Sequence, residues 1–493
     1  MDDLLSKLGS AEKAALRLLI DLPSPTLNQQ DRAFFSSHPW TGVILFQKNI
    51  EDRKQVQDFI GSLQSINQDR FPNYPLFVSV DEEGGSVSPL EKIMTPSPGN
   101  MALAATLDLE GTYQISRLLG SELRSLGFNV NFSPVVDVNS NPKNPIIGIR
   151  SFGEDPKKVG SFGSRVIQAY QEEGVMATAK HFPGHGDTSK DSHLDLPVVN
   201  RTKEELKQLD LLPFEMSIEA GVSGMMTAHV IYPALDKKPA TLSKTILTQL
   251  LRKEMNFQGI IFTDSFEMAA IKEHFDLEEA VLGSIEAGAD VLLALGNVES
   301  QLATFEILKK AIEKKKISEE NIIQPLKRIL SFRKRLGEFK RKSDWTIERN
   351  LVESLHQKSV TVVSGREKLP LSKQAEVLLS LEASKHQSIF QTHFKDCRFV
   401  PWPWPSSSIA SSKPRWIFLA ERRLLDSKVE TALKPLTSQV ECVVSFGNPY
   451  FLSEFPSDVV RVTTYHFNET FVKAVYEVLI QGKKGTGKLP ITL

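Results

Sequence analysis

The sequence predicts an α/β protein: a (β/α)8 TIM-type barrel with C-terminal helices over residues 1–342, then a smaller α/β sandwich-like domain over residues 343–493. Three observations lead there. Short apolar, β-branched runs alternate with amphipathic stretches from about residue 15 to residue 335, which implies parallel strands joined by right-handed crossovers. Several of those runs end in a polar or ionisable residue. A basic segment, Lys340-Arg341-Lys342-Ser343-Asp344, then separates this pattern from a second α/β alternation.

In chain order, the strands expected in the first domain are 18–22, 43–46, 76–80, 130–136, 176–179, 225–228, 260–263 and 291–295. Helical patterns such as 111–126, 159–173 and 203–220 lie between them. Eight such units fit a closed barrel better than an open sheet. Val80 runs into Asp81, Ala179 into Lys180-His181, Ala228 into His229 and Thr263 into Asp264. In a barrel those strand ends meet on one face, where the chemistry sits. A doubly wound sheet also gathers ligands at its strand ends, so the pattern speaks for a site more strongly than for closure. Residues 303–342 are helical and strongly basic. In the second domain the expected strands are 360–363, 376–381, 416–420, 443–446 and 459–463, and residues 399–415, rich in Pro, Trp and Ser, read as a long loop.

Composition narrows the class. With 41% apolar and 24% charged residues over 493 positions, the chain has the make-up of an ordinary globular protein. A net charge of −1 gives no footprint for nucleic acid or an anionic membrane. The two cysteines, Cys397 and Cys442, make no disulfide framework. The start, Met1-Asp2-Asp3-Leu4, is acidic, and its first apolar stretch is broken by Arg17 and Asp21, unlike a secretory signal. No run is long enough to cross a bilayer. The expected location is cytoplasmic.

Chemistry concentrates in Lys180-His181-Phe182-Pro183-Gly184-His185-Gly186-Asp187-Thr188-Ser189-Lys190-Asp191-Ser192-His193. The segment follows a strand and holds two glycines and a proline, so it is a loop on a rigid scaffold, the usual form of an active site. Two readings of it stay open on the residues alone. His181, His185 and Asp187 have the make-up of metal ligands, although Pro183-Gly184 breaks any helix that would align the histidines. Alternatively, Asp191 and His193 form a dyad in which the carboxylate orients the imidazole and supports its protonated form, suited to general acid/base work.

The loop resembles the signature of glycoside hydrolase family 3, in the branch containing the β-N-acetylglucosaminidases of bacterial peptidoglycan recycling. Further segments resemble the family's motifs in order: Gly42-Val43-Ile44-Leu45-Phe46, Asp81-Glu82-Glu83-Gly84-Gly85, Arg150-Ser151-Phe152-Gly153-Glu154-Asp155-Pro156, Met226-Thr227-Ala228-His229, Pro239-Ala240-Thr241-Leu242-Ser243 and Gly259-Ile260-Ile261-Phe262-Thr263-Asp264. The second domain resembles that of two-domain members through residues 443–450 and Gly487-Lys488-Leu489-Pro490.

The resemblance implies a retaining exo-β-N-acetylglucosaminidase acting on peptidoglycan fragments, with a muropeptide or chitobiose-like sugar as its small-molecule partner. Asp264 is then the nucleophile, His193 the acid/base and Asp191 the residue that tunes it. Asp81, Arg150, Lys180 and His181 hold the hydroxyls of the terminal sugar, and neither metal nor cofactor is needed. A histidine acid departs from the usual pair of carboxylates. Each residue has a plainer alternative: Asp264 as a helix cap, Arg150 as a structural ion-pair partner, His229 as a packed histidine, and His185 and Asp187 as residues that shape the loop. The chain departs from the family where Arg-Val-x-Arg usually follows Gly-Gly. It has Ser86-Val87-Ser88-Pro89, so two positive charges are missing beside the site. The rival functions are a phosphorylase or β-glucosidase of the same family, a metal-dependent hydrolase, and a sugar-binding protein without catalysis.

Overall fold

The computed structural model describes residues 1–189, 196–340, 350–404, 414–423 and 426–493. The first domain contains strands β1 (Leu18–Asp21), β2 (Gly42–Ile44), β3 (Phe77–Val80), β4 (Val130–Asn131), β5 (Met176–Phe182), β6 (Gly224–Thr227), a short hairpin of β7 (Ile231–Tyr232) and β8 (Asp236–Pro239), then β9 (Ile260–Phe262) and β10 (Leu292–Ala294). Eight of these form a parallel sheet in the order β10-β1-β2-β3-β4-β5-β6-β9. The two ends meet through a parallel bridge between Phe262 and Val291, where Thr263 N donates to Val291 O at 3.0 Å and Val291 N to Ile261 O at 3.1 Å. The predicted barrel is therefore closed.

The period-two alternation of side chains along each strand builds two separate cores. Leu19, Ile44, Phe77, Met176, Met226, Phe262 and Leu293 point inward and fill the barrel. Leu18, Ile20, Val43, Val78, Ala177, Ile261 and Leu292 point outward against the helical ring. Below the barrel, Asp290 pins the seam between β9 and β10. It pairs with Arg252 and, at 2.7 Å, with Arg328, and it accepts Ile261 N at 2.8 Å.

One strand departs from expectation. The run 130–136 pairs as a strand only at Val130–Asn131. Pro134 lacks an N–H, so the ladder continues only through isolated contacts such as the bridge between Val135 and Lys180.

The second domain carries β11 (Thr361–Ser364), β12 (Glu376–Leu379), β13 (Arg398–Val400), β14 (Arg415–Leu419), β15 (Cys442–Ser445) and β16 (Val460–Thr463). Their order is β11-β16-β15-β14-β12-β13, parallel except for β11 on β16. Alternate residues again separate two faces. Trp416, Phe418, Cys442 and Val444 face one core, while Ile417, Leu419 and Val443 face the other. This is a three-layer α/β sandwich. The segment 399–415, expected to be a loop throughout, begins inside β13 and ends at the first residue of β14.

The two domains share a core. Met101, Ala102 and Ala105 of the barrel-side helix Asn100–Thr106, with Ile149, pack among Val360, Phe390, Phe471 and Ile491. Pro490 O accepts Glu154 N at 3.1 Å and Lys488 N donates to Ala105 O at 2.9 Å. Among the described residues no helix is long and apolar enough to cross a membrane.

Candidate active site

The C-terminal ends of the barrel strands open into a cavity of about 550 Å³. Asp81, Arg150, Lys180, His181 and Asp264 all line it, so five of the residues named from sequence come together here. Asp81 directly follows β3 and Asp264 stands two residues beyond β9. Lys180 and His181 are among the last residues of β5, and Arg150 ends the short 3-10 turn Gly148–Arg150. Asp191 and His193 lie outside the described residues. The chain reaches them from Ser189, next to a loop whose His185 forms part of the cavity wall.

Glu83 is the hub of one ionic network, and sequence reasoning gave it no role. Its carboxylate takes a two-pronged contact from Arg150, Nε to Oε2 at 2.9 Å and the terminal nitrogen to Oε1 at 2.8 Å. Lys180 Nζ lies 2.6 Å from Glu83 Oε1 and 2.5 Å from Asp81 Oδ1. Burial pushes the Glu83 carboxyl up, but Arg150 and Lys180 outweigh it and pull it down to about 2. Burial would likewise lower the Lys180 ammonium, yet Asp81 and Glu83 raise it above its ordinary value. Glu83, Lys180 and Arg150 are thus held in their charged forms on one wall, beside Asp81, with donors and acceptors lining the cavity. Such groups suit sugar hydroxyls, each of which both donates and accepts. Arg150 is accordingly a structural ion-pair partner and a cavity-lining group at once.

Asp137 is the second hub, and it too was passed over. It sits wholly buried after Val136. Its Oδ2 lies 2.7 Å from His181 Nδ1, and its Oδ1 accepts the backbone N–H groups of His181 at 3.1 Å and His185 at 2.6 Å. Burial raises the Asp137 carboxyl, and the neighbouring His181 and His185 more than reverse this. Its grip fixes the His181 ring with Nδ1 toward the protein, which turns the other ring nitrogen away from Asp137. The only sequence signal for Asp137 was an acid at the end of an apolar run, the same signal that marked Asp81 and Asp264.

The polar loop is held from within. Burial first, and the His181 charge second, push the His185 imidazole down to about 4, so that it is neutral near pH 7. Its Nδ1 lies 2.9 Å from Thr188 Oγ1. Asp187 pairs with Arg201 at 2.9 Å, and Arg201 pairs with Asp210 at 2.6 Å. Asn144 donates to His185 O at 2.8 Å and Asn141 N donates to Gly186 O at 3.3 Å. These contacts give His185 and Asp187 loop-shaping roles. Among the described residues no group of three His, Cys, Asp or Glu side chains is arranged to hold a metal ion. His229 is 1% exposed, with Nδ1 2.8 Å from Thr241 Oγ1 and Nε2 3.0 Å from Ser265 O, the packed histidine expected from sequence. Asp264 is half-buried and its Oδ1 accepts Ser265 N at 2.8 Å. It lines the cavity opposite no cap role of its own: the next helix, Ala269–Lys272, has Met268 at its N-cap.

Comparison with known proteins bears on the family and the fold. The model of the glycosyl hydrolase family 3 N-terminal domain matches residues 10–332. The chain is 36% identical over 384 residues to β-hexosaminidase A of Pseudoalteromonas piscicida, covering 72% of this chain and 64% of that one, just under two thirds of the relative's length. It is 34% identical over 290 residues to a β-hexosaminidase of Nitrosomonas eutropha, covering 57% of this chain and 81% of that protein. Its fold is similar to the solved structure of a glycoside hydrolase family 3 β-N-acetylglucosaminidase from Paenibacillus sp. str. FPU-7, with a TM-score of 0.89, 30% identity, and coverage of 98% and 99% of the two chains.

Proposed function

The chain belongs to glycosyl hydrolase family 3, and on that premise we propose that it is a retaining exo-β-N-acetylglucosaminidase that removes terminal β-linked N-acetylglucosamine from peptidoglycan fragments. The observation that carries the reading is one cavity at the barrel's C-terminal face in which the Asp264 carboxylate shares the walls with the Asp81–Lys180–Glu83–Arg150 network. The two β-hexosaminidases and the β-N-acetylglucosaminidase that the chain resembles support the choice of sugar.

The chemistry runs in two displacements. Asp264 attacks the anomeric carbon, and the bond to the leaving oxygen breaks with its electron pair going to that oxygen. His193 supplies the proton that makes it a hydroxyl. A water then attacks the anomeric carbon from the face the leaving group vacated, opposite the bond to Asp264, His193 takes its proton, and Asp264 departs with the electron pair of that bond. Asp191 orients the imidazole and supports its charged form. The network around Glu83, with His181 held by Asp137, fixes the terminal sugar, so that attack begins from a bound geometry rather than a search.

The test is direct. A 2-acetamido-2-deoxy-5-fluoro glycosyl fluoride should label Asp264, and peptide mass spectrometry should find the sugar there. Asp264→Ala should lower kcat by roughly 10³-fold or more, the scale on which enzymes lose rate when a nucleophile is removed. Label on another carboxylate, or an inverted product by NMR, would refute the assignment.

A further inference from the structure

A second cavity, about 1180 Å³, adjoins the first. Both are lined by Ser86, Val87, Pro89, Ile149, Arg422 and Arg423. The far walls of the second come from the C-terminal ends of the sandwich strands: Leu381 and Glu382 beyond β12, Glu421 to Arg423 beyond β14, Phe446 and Gly447 beyond β15, and His466 beyond β16. In the sheet β12 lies between β13 and β14, so strand order reverses at β12 and β14. Open α/β sheets bind ligands in the crevice at that reversal. Here the crevice opens onto the mouth of the barrel, and the ligand-binding ends of both domains form one continuous cleft.

Charge in this cleft is not evenly spread. On the barrel side, Asp81 and Glu83 are balanced by Lys180 and Arg150, and Glu267 pairs with Lys272 at 2.7 Å. On the crevice side Glu421 and Asp426 are held by neutral donors that leave their charge in place, and Glu382 is paired with a cation. Glu421 accepts Ser380 Oγ at 2.8 Å and Glu382 N at 3.2 Å, Glu382 pairs with Lys385 at 2.6 Å, and Asp426 caps the helix Ser427–Leu433. Arg422, by contrast, donates to the Ser86 carbonyl at 2.8 Å. A neutral acceptor fixes the guanidinium without cancelling its charge, and among the described residues Arg422 makes no ion pair. Arg423 lines both cavities beside it. Partial burial lowers the Arg422 pKa, Arg423 and Arg150 lower it further and Glu382 opposes them, so guanidinium groups from both domains lie near one another at the junction. The contact also falls on the segment Ser86-Val87-Ser88-Pro89, which carries no cation of its own.

We infer that Arg422 and Arg423 form an anion-recognising aglycone subsite, supplied to the barrel by the second domain, that selects substrates whose leaving group carries a carboxylate. The guanidinium fork matches a carboxylate's two oxygens, and a fixed fork loses little freedom when it binds one. The inference rests on the glycosidase reading above and extends it to the far side of the scissile bond.

A matched pair of substrates tests it: N-acetylglucosamine β-1,4-linked to a carboxyl-bearing sugar, as the free acid and as its methyl ester. Wild type should prefer the acid in kcat/KM. In Arg422→Met/Arg423→Met the acid-to-ester ratio should fall about 10- to 100-fold, the range expected for losing hydrogen bonds to a charged group. Raising ionic strength should raise KM for the acid in wild type and leave the ester's unchanged. Melting temperatures of both proteins establish that the variant is folded. An equal wild-type efficiency on acid and ester, or a ratio unmoved in the folded variant, overturns the arginine assignment while leaving the glycosidase reading in place. Failure of wild type to cleave either disaccharide or a neutral chitobioside overturns the glycosidase reading itself. Formation of a glycosyl phosphate in the presence of inorganic phosphate, lost in the variant while the acid-to-ester ratio stays put, would reassign the pair to a phosphate acceptor and also overturn the proposal.

Discussion

Glu82, between two acids that line the cavity network, behaves in the opposite way to Glu83. It is 2% exposed and turned inward, where its Oε2 accepts Leu90 N at 3.2 Å. Burial dominates and pushes its carboxyl up to about 8 from 4.5. The folded protein therefore keeps a proton that the unfolded chain releases, and stability should fall as pH rises from about 4.5 to about 8. Glu82→Gln, close in shape to the protonated acid, should flatten that fall. Its melting temperature should exceed that of wild type at pH 8, with the gap closing toward pH 5. Parallel pH profiles would show that another group carries the dependence. Adjacent residues of one motif thus have opposite protonation states, and the sequence does not distinguish them. Asp81, Lys180, His181 and Asp264 were legible because an ionisable residue at the end of an apolar run has few structural reasons to be there, and Arg150 because it opens the motif Arg150-Ser151-Phe152-Gly153. Glu83 and Asp137 were not, because their importance lies in which side chains fold against them, and those contacts join residues 67 and 44 positions apart.

Among the elements, the loop 184–188 depends on close backbone approach. A Cβ on Gly186 would lie 1.7 Å from Val138 O, and one on Gly184, at φ +134°, would meet Asp210 at 2.8 Å. Gly186→Ala must therefore push the loop away from the segment 138–141 that holds it, and with it the entry to Asp191 and His193. If the loop leads to the acid/base as proposed, a displacement of about 1 Å there costs on the order of 10²-fold in rate. Gly186→Ala should lose about that much in kcat/KM while far-UV circular dichroism stays unchanged, and full activity would show that the loop tolerates the shift. Strand positions were readable throughout the barrel because apolar runs of four or five residues bounded by turns have few other uses. Failures came where pairing, not composition, decides. Pro134 ends the ladder of β4 inside an apolar run, and β13 forms in a Pro- and Trp-rich stretch because β12 offers it an edge, with Glu376 opposite Arg398.

Across the whole molecule, the two domains were separable in the sequence, yet they are energetically joined. Met101, Ala102, Ala105 and Ile149 complete the second domain's apolar core, and Ile491, 5% exposed, closes it beside Glu154, which Thr492 N contacts at 2.9 Å. Unfolding followed by calorimetry should give one transition rather than two. Removing residues 490–493 strips a buried isoleucine and the Glu154 contacts, at a cost of about 2–5 kcal/mol. The transition should then divide into two, and a single unshifted transition would show that the seam contributes little. Sequence patterns mark domains by local periodicity, so a helix belonging to one domain by chain order and to the other by packing escapes them. The shared helix also has a consequence for biosynthesis. Asn100–Thr106 leaves the ribosome hundreds of residues before Val360 and Ile491, which join its side chains in one buried apolar cluster. At translation rates of about 5–20 residues per second, that cluster is incomplete for tens of seconds. The nascent barrel thus carries a sticky surface for most of the time it takes to make the rest of the chain, and it is during synthesis, rather than in the finished enzyme, that this protein is most exposed to aggregation.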